Sequence, residues 1–292
     1  MAAVIDEPGQ EPRWLWWSKA KDYCRRHPTV VIGASVLIVM TLIAIAASLI
    51  SGDPLKLTPI NRLKPPSESF LFGTDFLGRD VFARTIHGSQ ISLIVGGAVA
   101  LISTVIGLVI GLLAGYVRWV DSVVMRVMDG LMAIPGVLLA IALISLAGAS
   151  LTNVIIAICV PEIPRVVRLV RSVVLTIREQ PYVEAAIAVG SPLPKILFKH
   201  ILPNTVAPLI VQATYVCASA VVIEAILSFL GAGTPPEIPS WGNIMAEGRT
   251  YFQIAPWIIF FPGVFLAITV LAVNVLGDGL RDSLDPRIAR RM

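Results

Sequence analysis

The sequence predicts an all-α integral membrane protein with about six transmembrane helices, and two observations support this prediction. Apolar residues make up 56% of the chain and charged residues only 14%, with a mean hydropathy of +0.81, a balance that a water-exposed surface does not tolerate. A hydrocarbon core about 30 Å thick requires about 20 apolar residues in helical form, and runs of that length recur along the chain. Most of the chain is therefore expected to cross the bilayer.

Six apolar segments are long enough to be transmembrane helices. The polar stretch 1–29 ahead of the first apolar segment is longer than the n-region of a cleaved signal peptide, so the first apolar segment is expected to remain as a membrane anchor. The predicted spans are Val30–Ile50, about Ile91–Val117, about Val127–Leu146, about Leu151–Leu175, Thr205 to about Leu230, and Trp257–Leu276. The chain thereby divides into a tail at 1–29, a first helix and external connector at 30–90, and a transmembrane domain of five helices at 91–292.

Lysine and arginine residues place both termini on the cytoplasmic side. Basic residues are retained in short cytoplasmic loops, and this orientation puts 17 of the 23 lysines and arginines inside. Five of the other six lie in the long connector, where the rule is weakest. The pI near 9.1 is thus a signal of topology, and it gives no reason to expect a nucleic-acid partner.

Motifs of catalysis, metal binding and nucleotide binding are missing from the sequence. It contains no HExxH, CxxC or GxSxG, and its three histidines lie far apart. No lysine follows a glycine, so the phosphate-binding loop GxxxxGKS or GxxxxGKT is absent. The expectation is a chain that is not an enzyme, without catalytic residues, metal site or cofactor of its own, so that a partner must handle any ATP.

The polar stretch 178–204, between the fourth and fifth spans, predicts a bent pair of helices on the cytoplasmic side. Pro181–Val189 suits a short helix that stops at Gly190, a residue able to take the left-handed conformation. Ser191 as N-cap and a proline at the first helical position begin a second helix, which Pro203 is expected to interrupt. In that helix the expected exposed residues are Lys195, Lys199 and His200, and the expected buried residues are Ile196, Leu197 and Ile201.

The triplet EAA, a glycine four residues later and the motif HILPN resemble the EAA loop of permease subunits in prokaryotic ABC importers. Much of the remaining chain is similar to the C-type permease of the dipeptide, oligopeptide and nickel transporter family. The similar segments are FGTDFLGRDVFARTIHGSQISL (72–93), MDGLMAIPGVLLAIAL (128–143), LSFLGAG (227–233), PSWGNIMAEGR (239–249) and LGDGLRDSLDPR (276–287). The resemblance implies a type I importer permease fold in the bacterial inner membrane.

The same resemblance implies partners and a mechanical role for the EAA loop. The partners are a second, homologous permease forming a heterodimer, two ATP-binding subunits that hold ATP and Mg, and an external solute-binding protein, with lipid around the spans. In the family this loop is a coupling helix that sits in a groove of the ATP-binding subunit. The matching residues are Glu184, Ala185, Ala186, Gly190, His200, Leu202, Pro203 and Asn204. The alternative interpretation is an ordinary amphipathic surface helix with Glu184 in solvent.

Peptides are the expected substrate, and the alternatives within the same importer type are glutathione, opines and nickel chelates. An ion-coupled secondary transporter is an alternative from another class, although such proteins usually consist of two repeated halves, which the sequence does not show. A membrane-embedded enzyme is the least favoured alternative, because no nucleophile with a base occurs within the spans.

Three acidic residues at membrane depth are candidates for a translocation path, because charges there usually face protein or water. Asp129 alternatively pairs with Arg126 or reaches the interface, and Glu224 alternatively makes an interhelical hydrogen bond. Glu162 is the strongest path candidate, and the prolines on either side of it leave the helix geometry there open. Outside, LGRDVFARTIHG is expected to form a helix leading into the second span, mainly for packing.

Overall fold

A computed structural model describes residues 24–284, so the predicted tail at 1–29 is described only from Cys24 onward, and the last eight residues lie outside. The described part is helical, without strands. The helices are α1 Pro28–Ile45, α2 Ala47–Ile50, α3 Val81–Tyr116, α4 Arg118–Met132, α5 Gly136–Ala147, α6 Leu151–Arg178, α7 Pro181–Ala188, α8 Leu193–Ile196, α9 Leu202–Phe229, α10 Trp241–Gly248 and α11 Trp257–Leu284.

Four described helices are long and apolar enough to cross a membrane: Pro28–Ile45, Val81–Tyr116, Leu193–Phe229 and Trp257–Leu284. The pair α4 and α5 adds a fifth crossing if the two helices together form one broken span. Helix α6 has sufficient length, but four arginines and a glutamate make it too polar for the same criterion. The multi-pass helical fold is confirmed, whereas six spans and cytoplasmic termini stay predictions.

The third predicted span, Val127–Leu146, is not one helix, and that prediction is wrong. Helix α4 ends at Met132, α5 begins at Gly136, and their axes differ by 88°. Pro135 has an extended ψ of 127°, and proline also disfavours the helical conformation of the residue before it. The chain therefore turns at residues 133–135.

The two prolines in α6 do not interrupt the helix. It runs without interruption from Leu151 to Arg178, with Pro161 and Pro164 inside it and both buried. Gly136 lies against the first of them, where an added Cβ would stand 3.1 Å from the Cβ of Pro161. The proline side chains thus contribute to the packing of α5 on α6.

Helix α3 lies at the centre of the fold because glycines let α6 approach it closely. Gly107, Gly111 and Gly115 follow one another at intervals of four and face Val166, Val170 and Val174 on α6, whose spacing is the same. An added Cβ would lie only 2.5–2.7 Å from the Cβ of the facing valine. Small residues at this spacing are a common basis for close helix packing in membranes.

At its other end α3 is joined to α10 by a buried cluster of charges. The expected helix in LGRDVFARTIHG forms as the first turns of α3, with Asp80 as N-cap accepting from the backbone N–H of Phe82 at 2.9 Å. The cluster itself consists of Asp75, Arg79, Arg84 and Glu247, in which each arginine bonds to both acids. Asp75 and Arg84 have no exposed side-chain surface, so the cluster fixes the connector and α10 to α3.

Candidate coupling and translocation sites

The segment 178–204 forms the bent helical pair that the sequence predicts. Helix α7 starts with Pro181 in its first turn, Val189 is its C-cap, and Gly190 takes a left-handed φ of +76°. The backbone N–H of Ser191 donates to the carbonyl of Ala186, which closes the turn. The glycine stop is therefore confirmed, and its conformation is one that a side chain with Cβ rarely adopts.

The second half of the pair differs from the prediction at both ends. Pro192, and not Ser191, precedes the first helical residue, and the Ser191 side chain makes no capping bond. Pro203 does not interrupt the helix, because the wider π-helical turn Leu197–Ile201 comes just before it and the chain continues as α9. A proline in the first turn of a helix loses no helical hydrogen bond. Five of the six predicted side-chain positions are confirmed: Ile196, Leu197 and Ile201 are buried, and Lys195 and Lys199 are exposed. His200 was expected to be exposed but is half-buried, and its ring approaches that of Tyr182.

The EAA residues occupy the outer surface of α7. Glu184 and Ala185 are exposed, Ala186 is half-buried, and Val183 is the fully buried residue that fixes the helix to the protein. Glu184 has no ion-pair partner among residues 24–284. Three large apolar side chains of the same short segment are also exposed: Tyr182, Ile187 and Val189. An unpaired acid within an exposed apolar surface is a typical feature of a docking site.

Motif HILPN holds the two halves of the pair together. The Asn204 amide Nδ2 donates to the His200 carbonyl at 2.7 Å and to the Tyr182 hydroxyl on α7 at 3.3 Å. The Tyr182 and His200 rings also approach each other, with centroids 6.2 Å apart. Leu202 is half-buried and Pro203 exposed. The motif thus orients α7 relative to the start of α9.

Glu162 is buried between α6 and α9, with 2% of its side chain exposed. Its carboxylate accepts from Arg165 at 3.1 Å and from the Ser219 hydroxyl on α9 at 3.0 Å. Arg165, by contrast, has 54% of its side chain exposed. The group that α6 presents at this level is therefore the guanidinium, and Glu162 orients it.

The other two acids have different surroundings. Glu224 is fully buried and accepts from Ser228 at 2.8 Å and from Ser92 on α3 at 3.4 Å, which is the interhelical hydrogen bond of the alternative interpretation. Asp129 pairs with Arg168 on α6 at 2.6 Å, so the expected pairing with Arg126 is wrong. Arg126 lies three residues before Asp129 on the same helix, a spacing that allows an ion pair. The Arg168 side chain nevertheless reaches Asp129 from α6 and forms the pair instead.

A groove of about 620 Å³ lies between α6, α9 and α11 at the end that carries the EAA loop. The polar side chains in its wall are Asn204, Gln212, Tyr215 and Arg281, and the Tyr215 hydroxyl donates to the Asp278 carboxylate. Tyr215 lies one helical turn from Ser219, the partner of Glu162. Polar groups thus line α9 from the groove toward the middle of the bundle.

Sequence reasoning missed Arg165 as a site residue and used it only as a signal of orientation. It also missed the pairs of α4 with α6, in which Arg168 binds Asp129 and Arg171 binds Asp121. The available signal was the spacing of three between the arginines together with two acids eight residues apart, one in the loop before the third predicted span and one at its start.

Comparison with known proteins identifies the family. Residues 103–290 match the family model described as binding-protein-dependent transport system inner membrane component. A probable peptide ABC transporter permease protein of Sinorhizobium fredii is 59% identical over 91% of this chain and 92% of its own. The dipeptide transport system permease protein DppC of Alkalihalophilus pseudofirmus is 41% identical over 93% and 90%. A glutathione transport system permease protein of Pectobacterium atrosepticum is 39% identical over 99% and 95%. The resemblance predicted from the EAA loop is confirmed, and the chain belongs to the binding-protein-dependent transport system inner membrane component family.

Proposed function

We propose that this chain is a permease subunit of an ABC importer that carries peptides across the bacterial inner membrane, driven by ATP hydrolysis on partner subunits. The observation that carries the proposal is the exposed face of α7, where the unpaired Glu184 lies among apolar side chains on a helix oriented by Asn204. The family match and the relatives named as peptide permeases support the same function.

In this proposal α7 docks into a groove of an ATP-binding subunit, and each of two such subunits holds ATP and Mg. The connection from α7 to the spans supports a mechanical role, because α8, the π turn and α9 pass into each other without a loop from Leu193 to Phe229. Movement of α7 is thereby transmitted along a helix that reaches the far side of the bundle. An external solute-binding protein delivers the cargo.

The exposure of the Arg165 side chain at membrane depth supports the presence of a second permease beside this one. At 1.5 Å per residue it lies about 21 Å along α6 from Leu151, inside a hydrocarbon core about 30 Å thick. An arginine with 54% of its side chain exposed is costly against lipid at this depth, so such residues usually face protein or water. The α6 face that carries Arg165 is thus the proposed boundary of the translocation path, which a homologous permease closes from the other side.

The same face fits a peptide, whose carboxylate and ammonium groups need polar partners at mid-membrane. Arg165 offers a cation oriented by Glu162, and the groove with Gln212 and Tyr215 leads from it toward the EAA side. Among the three acids predicted for the path, Glu162 keeps this role through Arg165. For Asp129 and Glu224 we propose a structural role. The carboxylate of Asp129 is paired with Arg168, and the carboxylate of Glu224 accepts hydrogen bonds from Ser92 and Ser228.

Transport assays in proteoliposomes test the proposal. The purified chain, reconstituted with its co-purified subunits and binding protein, is expected to take up a labelled dipeptide when ATP is supplied on the side of the membrane where the ATP-binding subunits lie. Uptake should continue when a protonophore removes the proton gradient. Uptake of labelled glutathione in place of the dipeptide would move the assignment to the glutathione alternative; opines and nickel chelates are scored in the same way. Uptake that needs an ion gradient and no ATP would support the secondary-transporter alternative and contradict the proposal.

A further inference from the structure

Helix α4 carries a cationic surface that neither the coupling role nor the translocation path uses. Its acids are neutralised within the fold: the Asp129 carboxylate pairs with Arg168, and Asp121 accepts from Nη2 of Arg171 at 2.7 Å. Its two arginines, Arg118 and Arg126, make no ion pair with any residue between 24 and 284. The charge that α4 leaves exposed is therefore positive.

An apolar row runs beside these arginines. Trp119, Val123 and Val127 follow at intervals of four, and 75%, 51% and 54% of their surfaces are exposed. Each arginine lies one position before a member of this row, so the cations flank one edge of the apolar row along the helix. Helices that lie in the interface of a membrane combine an apolar face with flanking basic residues in this way.

The two ion pairs indicate how α4 lies. Asp121 and Asp129 are eight residues apart, about 12 Å along α4, but Arg171 and Arg168 are three residues apart, about 4.5 Å along α6. The shorter spacing on α6 indicates that α4 crosses α6 at an angle and does not run alongside it. The two arginines lie about 26–30 Å along α6 from its start, at the inner edge of a hydrocarbon core about 30 Å thick.

Next to this helix is a cavity of about 610 Å³ at the end of α3, lined by Arg118, Arg178, Tyr116 and Leu193. The Arg178 guanidinium donates to the Tyr116 carbonyl at 3.2 Å and lies 5.3 Å from the centre of its ring. These contacts hold Arg178 in place without neutralising it. Asp121 also lines the cavity, but its carboxylate is already paired with α6.

We propose that this corner binds an acidic phospholipid of the inner leaflet, with the phosphate between Arg118 and Arg178 and the acyl chains on the apolar row of α4. Charge complementarity selects this occupant, because the two cations Arg118 and Arg178 disfavour the ammonium group of a zwitterionic lipid, and the one carboxylate in the lining, Asp121, is already paired with Arg171. Basic pockets between helices at the cytoplasmic side of membrane proteins are typical sites for acidic lipid headgroups. The inference concerns lipid binding and stands apart from the transported solute.

Titration with dioleoyl phosphatidylglycerol tests the proposal on the purified chain together with the subunits that co-purify with it. Retained lipid is counted by native mass spectrometry in neutral detergent, with dioleoyl phosphatidylcholine as the zwitterionic comparison. Each arginine near a membrane surface contributes about a fivefold factor to binding an acidic lipid, so Arg118→Gln with Arg178→Gln, which removes both cations of the site, should weaken retention about 25-fold. The control Lys56→Gln with Lys64→Gln removes the same charge from the exposed outer connector and should leave retention unchanged.

Four outcomes decide the proposal. Weaker phosphatidylglycerol retention in the arginine variant alone, with no competition by glycerol 3-phosphate, supports it, since the free headgroup lacks the acyl chains. Equal retention of the two lipids by the parent overturns it. Equal retention by variant and parent overturns it as well. Loss of a co-purified protein subunit from the arginine variant, without a change in lipid, would instead identify this surface as a contact with that subunit.

Discussion

The close packing of α3 against α6 gives a prediction whose size follows from the structure. We expect Gly111→Ala to destabilise the protein, because the added Cβ would lie 2.7 Å from the Cβ of Val170 and 3.0 Å from the carbonyl oxygen of Val167. These neighbours are backbone and branched side-chain atoms, which cannot rotate away. Overpacking of this kind costs typically about 1–3 kcal/mol of unfolding free energy.

The matched control is Gly97→Ala in the same helix, where an added Cβ meets nothing within 4 Å. Both changes replace glycine by alanine in a helix interior, so the gain in helix propensity, up to about 1 kcal/mol, is common to both. Their difference in stability isolates the packing term. The unfolding free energy in mixed micelles, followed by circular dichroism, gives this difference.

Val170→Ala provides the second arm, because it removes Cγ1 of Val170, which the new methyl group would meet at 2.9 Å. The double variant should be more stable than the sum of the single changes predicts, and neighbouring residues typically show couplings of about 0.5–3 kcal/mol. Equal stability of Gly111→Ala and Gly97→Ala, or strict additivity in the double variant, would refute the close approach of the two helices.

Three further predictions concern the charge cluster, the path and the coupling loop. Glu247→Gln should lower the unfolding free energy by about 3 kcal/mol, since it leaves the buried Arg84 short of a partner, whereas Glu237→Gln on the exposed outer loop should have no effect in the same unfolding assay. Arg165→Gln should reduce dipeptide uptake in proteoliposomes while the stimulation of ATP hydrolysis by the binding protein persists; unchanged uptake would contradict its place on the path. Asn204→Ala should lower the transport rate per ATP hydrolysed, because α7 loses its link to α9, and an unaltered ratio of transport to hydrolysis would exclude this role.

Features set by neighbouring residues were predictable from the sequence. The turn at Gly190 depends on local backbone conformation, and it lies where the sequence placed it. The burial of Ile196 and Ile201 follows from helical spacing alone. The exposed EAA face was predictable because the resemblance rests on spacing within one short segment.

Features set by distant residues were not predictable. The continuation of the chain past Pro203 follows a π turn, and α6 continues without a break past Pro161, which packs against Gly136. The partner of Asp129 is 39 residues away, beyond any helical spacing rule. The break in the third span, by contrast, was within reach, since Pro135 lies at its centre.

The glycines of α3 were also visible as a spacing of four, but their partner was not. A row of small residues indicates a close approach, and many helices in the chain are apolar enough to be the neighbour. Only the three-dimensional arrangement shows that the valines of α6 match it residue by residue. The same holds for the charge cluster, in which Glu247 lies 168 residues from Arg79.

Co-purification with a coupling-loop variant tests the central claim most directly. Glu184→Lys with Gly190→Pro reverses the exposed charge and removes the left-handed turn, and the matched control Glu237→Lys with Gly231→Pro makes the same changes on the outer loop, where the φ of Gly231 is +81°. From mild detergent, parent and control are expected to retain an ATP-binding subunit and a second permease. The coupling variant should lose the ATP-binding subunit and keep the permease. A parent that purifies alone, or a coupling variant that retains its ATP-binding subunit at the level of the parent, would contradict the account.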